Sequence, residues 1–153
     1  MPENIATSLV AGGAPRLARL VPSAGGWSLD RDSLRDAVSG RTRALLMMSP
    51  SMPSGAVLNR DEWAAVCAAC VATDAWMIYD SAMERLLFDG VPHWHPAQFD
   101  GMAERTVTVG SASKEYRMIG WRVGWVVGPA SIVADVARVS ISNVVCQTGI
   151  AMQ

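Results

Sequence analysis

The sequence lacks any apolar run near the ~18 residues that a membrane-spanning helix needs. Arg, Gly or Pro interrupts its longest hydrophobic stretches. It also lacks a basic start followed by an apolar stretch and a small-residue cleavage site, so no secretory signal is expected. Cysteine is sparse and odd in number, at 3, which argues against a disulfide scaffold and for a reducing compartment. Neither sign of charge is in excess: 13 Lys+Arg stand against 14 Asp+Glu, net −1. A nucleic-acid surface needs a clustered basic excess, and so does a polybasic membrane patch; neither partner is expected. Disorder needs low hydrophobicity and a large charge imbalance, whereas half of these residues are hydrophobic. There is no internal repeat and no low-complexity tract. What remains is 153 residues, one domain's worth of chain, read as globular and cytoplasmic.

Strand-like runs alternate with helical patterns. Residues 16–21 form a short alternating run, and 25–29 read as a Gly-rich turn. Asp30 is placed to cap a helix over 31–38. Residues 43–48 are a compact apolar run that stops at Ser49-Pro50-Ser51-Met52-Pro53-Ser54-Gly55, where prolines and glycine forbid regular structure. Asn59 and Glu62 predict a capping box on a helix over 60–73. Ala75 to Tyr79 is another buried-strand run, ending on Asp80. Residues 89–103 read as a loop broken at most by one turn. Residues 105–109 are a β-branched strand leading into Gly110-Ser111-Ala112-Ser113-Lys114. Gly120 to Val127 alternates like a returning strand, and 130–142 reads as an amphipathic helix. The alternation predicts an α/β fold: a three-layer, mostly parallel sheet flanked by helices and buried on both faces. In such sheets ligands sit at the carboxyl ends of strands. That draws attention to the segments after Met48, from Asp80, and after Val109.

Each segment has a bland reading. The proline-rich stretch is a rigid turn. Asp80 is either a strand-end cap or a functional acid, since a carboxylate on a buried strand is costly unless capped or paired. A lone lysine is usually solvated. Yet two hydroxyls, Lys114 and Arg122 lie within twelve residues framed by glycines, as an anion site with a reactive amine requires. A lysine can bond an aldehyde as a Schiff base. Pyridoxal phosphate offers such an aldehyde, a ring nitrogen that wants a buried acid and a phosphate that wants hydroxyls and a guanidinium.

The segments SPSMPSG (49–55), YDSAMERL (79–86) and SASKEYRMIGWRVGW (111–125), in that order, resemble the class I/II aminotransferases, of fold type I among pyridoxal-phosphate enzymes. The third is the most specific, with S-x-S-K followed by Gly and Arg six and eight residues on. The resemblance covers essentially the whole chain. It implies that Lys114 carries the Schiff base and moves a proton at the substrate α-carbon. Asp80 would face the ring nitrogen; Ser111 and Arg122 would hold the phosphate, with Ser113 a weaker candidate. It implies pyridoxal 5′-phosphate as cofactor, an amino acid and a 2-oxo acid as substrates, and a homodimer in the full-length protein.

Two matched positions depart from the family pattern. Met52 stands where an Asn is usual, and Met83 where a Tyr is usual. Both usual residues donate to the cofactor's phenolic oxygen, and a thioether cannot donate. That oxygen is expected to lose two donors and the Schiff base to become more basic. Family members run well over twice this length. Residues 1–153 are therefore expected to be the latter part of the large domain, with the N-terminal part and the C-terminal small domain absent, and residues from Asn143 to Gln153 to open a further helical region. Other fold-type-I chemistry (a lyase or decarboxylase), a cofactor-sensing domain and an inactive remnant are the competing readings.

The remaining features read as structural. Cys67 and Cys70 are expected to be buried apolar residues, since no second pair completes a metal site. His93 and His95 are expected to be solvated, Glu84-Arg85 to form an exposed pair, and Trp121 and Trp125 to share one strand face.

Overall fold

The structure, a computed structural model, describes residues 2–143 and 149. Local signals set several elements. Asp30 caps helix α2 (Arg31–Ala37), accepting from the Asp32 and Ser33 N–H groups, which have no partner inside the helix. Helix α3 (Arg60–Thr73) starts on the expected capping box. Asn59 Oδ1 accepts from Asp61 and Glu62, and Glu62 Oε2 accepts from Asn59 N–H at 2.8 Å. The other Glu62 oxygen accepts from Leu29 N–H at 2.7 Å. A carboxylate that is 6% exposed thus joins the start of α3 to a segment thirty residues upstream.

Helix α1 (Pro2–Val10) precedes the turn at 11–15 and carries no signal that distinguished it in sequence. Leu20–Ser23 and Gly26–Leu29 pair antiparallel as a two-stranded ribbon, β1 and β2. The stretch 25–29 is therefore mostly strand rather than turn. Gly26, at φ +121°, supplies the backbone angle that reverses the chain, and Trp27 to Leu29 then find partners in β1.

The main sheet has the order β3 (Ala44–Met48), β4 (Trp76–Asp80), β5 (Thr106–Ser111), β6 (Gly124–Val127). The first three run parallel and β6 closes one edge antiparallel. The molecule is an α/β structure with a mostly parallel sheet flanked by helices. Only 124–127 of the expected returning strand is extended. Residues Ile119–Trp121 form a 3-10 turn, so Trp121 and Trp125 do not share a strand face. The loop after β4 holds two 3-10 turns, Pro96–Gln98 and Ala103–Arg105, where at most one was expected.

Register decides which side chains share a face. Successive residues alternate, and partners in adjacent strands lie side by side. Leu45, Met77, Tyr79, Thr106 and Thr108 therefore share one face, and Leu46, Asp80, Val109 and Ser111 the other. The first face meets α3: Trp63, Val66, Cys67 and Cys70 pack with Leu45, Met77, Tyr79 and Met102 in the main core. The Trp63 ring meets Tyr79 edge-on at 5.5 Å, a preferred aromatic geometry. Cys67 and Cys70 are buried, as expected. The second face is covered less within the described residues, since Leu46 and Val109 are 43% and 40% exposed. Burial on both faces is thus complete on only one. Helix α5 (Ala130–Asn143) follows β6 as expected. The helical region expected beyond Asn143 lies outside the described residues.

Candidate functional site

The carboxyl ends of β4 and β5 place most of the chemically unusual residues at one edge of the sheet. Asp80 is the last residue of β4 and pairs in register with Met48 and Val109. It is half-buried, and its Oδ1 accepts from Ala82 N–H at 3.0 Å. Among the described residues no cationic side chain forms an ion pair with it. The next residue returns at once to β5: Ser81 N–H and Oγ both reach the Val109 carbonyl, at 2.9 and 3.2 Å. The strand-end acid is thereby pinned against the strand that leads to the lysine.

Ser111 ends β5 on the same face as Asp80 and caps α4 (Ala112–Glu115), its Oγ accepting from Ser113 N–H at 3.1 Å. Lys114 stands in that single turn, exposed. Strand β6 holds the turn from the other side. Ser111 pairs with Gly124, and Ala112 N–H donates to the Val123 carbonyl at 3.1 Å. Arg122, just before β6, is thereby carried to the start of α4. Its backbone is left-handed, at φ 55°, a conformation that costs an L-residue roughly 1–2 kcal/mol. Its guanidinium is exposed and donates to the Ile119 carbonyl at 2.9 Å.

Close packing behind this edge depends on one glycine. The Trp125 indole lies directly over Gly110, where any Cβ would overlap the ring. Such an approach of a side chain to backbone is possible only at glycine.

The structure thus brings Asp80, Ser111, Ser113, Lys114 and Arg122 to one sheet edge. Met83 lies in the turn after Asp80 and lines a groove of about 590 Å³ with Pro50, Ser51, Ser54 and Trp27. Met52 sits exposed at the tip of the proline-rich loop. The arrangement offers an amine, an acid, hydroxyls and a guanidinium at the carboxyl end of the parallel strands.

Sequence reading missed a polar layer on the core side of this edge. Tyr79 is fully buried and donates from its hydroxyl to the Ser49 carbonyl at 2.9 Å. His93 Nε2 stands 3.2 Å from the same hydroxyl and 3.7 Å from Glu84 Oε2. Because Tyr79 gives its proton to Ser49, His93 is the donor to Tyr79. His95 Nδ1 accepts from Ala97 N–H at 3.1 Å, so its proton is on Nε2, 3.1 Å from Thr108 Oγ1. His95 is thus half-buried and bonded to β5 rather than solvated, whereas His93 is exposed, as expected, while its ring still reaches the Tyr79 hydroxyl. Burial, then the neighbouring His93, pushes His95 below the ordinary imidazole range. Burial raises Tyr79 well above the usual phenol range, helped by the Glu84, Asp80 and Glu115 carboxylates. Glu84 and Arg85 do not pair with each other. Glu84 faces His93, with Oε2 buried and without a hydrogen bond. Arg85 N–H donates to Glu115 Oε1 at 2.7 Å. Burial, more than any other cause, raises the Glu84 carboxyl above the ordinary range, and Glu115 adds to the rise against the opposing pull of His93 and Arg85. The signal in sequence is weak, because the contacts that join the segments link residues 9 to 30 positions apart.

Comparison with known proteins follows the same lines. Residues 6–152 match the family described as aminotransferase class I and II. A Mycobacterium tuberculosis protein named probable N-succinyldiaminopimelate aminotransferase is 49% identical over 117 residues, which are 76% of this chain and 30% of that one. The arginine–pyruvate transaminase of Pseudomonas aeruginosa is 44% identical over 128 residues, 81% of this chain and 32% of that one. The solved structure of N-succinyldiaminopimelate aminotransferase from Mycobacterium tuberculosis superposes with a TM-score of 0.84 at 44% identity, covering 88% of this chain and 35% of that chain. The chain spans about a third of the length of the curated relatives it matches. Among the described residues no helix is long and apolar enough to cross a membrane.

Proposed function

The chain belongs to the aminotransferase class I and II family, and on that premise we propose that residues 1–153 are the latter part of the large domain of a pyridoxal-phosphate-dependent transaminase. The whole protein would move an amino group from an amino acid to a 2-oxo acid, working as a homodimer. The observation that carries this reading is the joint placement of Asp80, Ser111 and Lys114 at the carboxyl ends of β4 and β5, with Arg122 at the same end of the sheet, just before the antiparallel β6. The residues suit the cofactor: Asp80 is a half-buried carboxylate with no cationic partner among the described residues, and Lys114 presents an exposed amine.

Pyridoxal 5′-phosphate, when bound, supplies an aldehyde for an amine to bond and a ring that draws electrons from the substrate α-carbon. Lys114 Nζ provides that amine and then carries the proton at the α-carbon. The Asp80 carboxylate holds a proton on the ring nitrogen. Ser111 and Arg122 grip the phosphate through a hydroxyl and a forked cation, with Ser113 beside them. Met52 and Met83 leave the phenolic oxygen without the donors usual at those positions.

The test is to incubate the protein with pyridoxal phosphate, reduce with borohydride and map the modified residue by mass spectrometry. Lys114 is the only lysine in the sequence, so the α-amino group is the one competing amine. A pyridoxyl group on Lys114 supports the reading; its absence sinks it. Adding an amino acid to the loaded protein then separates chemistries. Release of the matching 2-oxo acid with the cofactor left in its amine form marks transamination, and release of pyruvate with ammonia marks elimination.

A further inference from the structure

The lysine-bearing turn is held from two sides, and one of the two holds has no part in the reading above. Helix α4 is four residues long, far short of the roughly 12–15 residues at which a helix stands by itself. Its position is therefore set by what it is tied to. On one side Ala112 is bound to the chain leading into β6. On the other, the Glu115 side chain, 7% exposed, turns inward and accepts the Arg85 N–H at 2.7 Å.

Arg85 lies five residues after Asp80, in a turn that begins with two bonds from Ser81 to β5. A short covalent and hydrogen-bonded path thus runs from Asp80 through the 81–85 turn to Glu115, and Glu115 is bonded directly to Lys114. The contact is an unusual way to fasten two loops. An ionised carboxylate loses its hydration on burial, and here the neighbouring Glu84 carboxylate is also partly buried. The facing cation makes only a long ion pair, with Arg85 Nε 3.9 Å from Glu115 Oε2 and its side chain 73% exposed. What the arrangement provides is a fixed distance between two strand ends.

Resting on the reading of Lys114 as the cofactor-bonding amine, we propose that Glu115 is a positioning residue. Its carboxylate, seated on the Arg85 backbone N–H, sets where the Lys114 amine stands relative to Asp80. It touches neither cofactor nor substrate; it acts through the turn that carries the lysine. Geometry of this kind governs rate, since a displacement of about 1 Å can cost as much as a hundredfold.

The test compares Glu115→Gln, Glu115→Asp and Glu115→Ala in the 153-residue chain. Gln keeps the length and an acceptor oxygen but not the charge. Asp keeps the charge but falls one methylene short. The readouts are the rate at which borohydride-trapped pyridoxyl builds up on Lys114, the amide exchange of the segment holding Arg85, and the far-ultraviolet circular dichroism. Glu115→Gln is expected to label within about threefold of the parent rate. Glu115→Asp and Glu115→Ala should label about tenfold or more slowly, with faster exchange at Arg85 and unchanged secondary structure. Equal labelling of all three, or a fast Asp variant beside a slow Gln variant, overturns the proposal, the latter by showing that charge rather than position matters. If Glu115→Ala fails to fold, the Gln and Asp pair decides alone. If the parent chain takes no label on Lys114, the lysine assignment itself has failed, and this proposal with it.

Discussion

Replacing Arg122 with glycine separates an anion-binding role from a role in holding the fold. Arg122 sits at φ 55°, so removing its Cβ relieves roughly 1–2 kcal/mol of left-handed strain. Against that, glycine adds about 0.4–1 kcal/mol of chain entropy to the unfolded state. The guanidinium bond to the Ile119 carbonyl is also lost; exposed to water, it contributes about 0.5–1.5 kcal/mol at most. These terms nearly cancel, so the denaturation midpoint of Arg122→Gly should correspond to a stability within about 1 kcal/mol of the parent. Binding is different. A hydrogen bond to a charged group contributes about 1.5–3 kcal/mol, so affinity for pyridoxal phosphate should fall by roughly tenfold or more. Pyridoxal, which lacks the phosphate, should bind both proteins equally. Arg122→Lys keeps the charge and the strain but loses the fork, and should lie between. Titration of the visible absorbance with each ligand, beside a urea melt, reads both effects. An Arg122→Gly protein that loses several kcal/mol of stability while binding pyridoxal phosphate normally would refute the reasoning. It would show that the arginine caps the 119–121 turn and does nothing for an anion.

Three further outcomes follow from the buried polar groups. Glu62→Ala removes the acceptor for both Leu29 and Asn59 N–H and should cost about 2–3 kcal/mol in a chemical melt; a loss below 0.5 kcal/mol would mean that water replaces both bonds. His95 is held in its neutral form, so the folded state binds fewer protons than the unfolded one. Its stability contribution is intact above the unfolded value of about 6.5 and is lost as pH falls through it. Melts at successive pH values should therefore weaken below about 6.5, and His95→Gln should flatten that slope; an unchanged slope would assign it to another group. Burial pushes the Cys67 thiol up to about 12 and the Cys70 thiol up to about 11. Neither should react with iodoacetamide at neutral pH until the protein is unfolded, and rapid native alkylation of either would contradict the packing against Met77 and Tyr79.

What could be read along the chain was what neighbouring residues decide among themselves. The Asn59–Glu62 box, the Asp30 cap, the helix over 60–73 and the strands ending at Met48 and Asp80 all rest on contacts within four residues or on side-chain period. So does the lysine segment, whose residues are close because they are consecutive. The Gly-rich stretch 25–29 reads as a turn in isolation because the strand character of Gly26–Leu29 comes from pairing with Leu20–Ser23. Trp121 reads as part of a strand because alternation cannot reveal that β6 starts only at Gly124, opposite Ser111.

The order of residue types along the chain was enough to announce an amine, an acid and a guanidinium spaced as one family spaces them, because that chemistry is written in side chains. Only folding decided that Glu62 reaches Leu29, that the buried Tyr79 hydroxyl meets His93 and His93 faces Glu84, and that Glu115 turns inward to Arg85. The physical reason is distance. A carboxylate or imidazole takes its state from whichever groups exclude water around it, and here those groups arrive from 9 to 33 positions away along the chain.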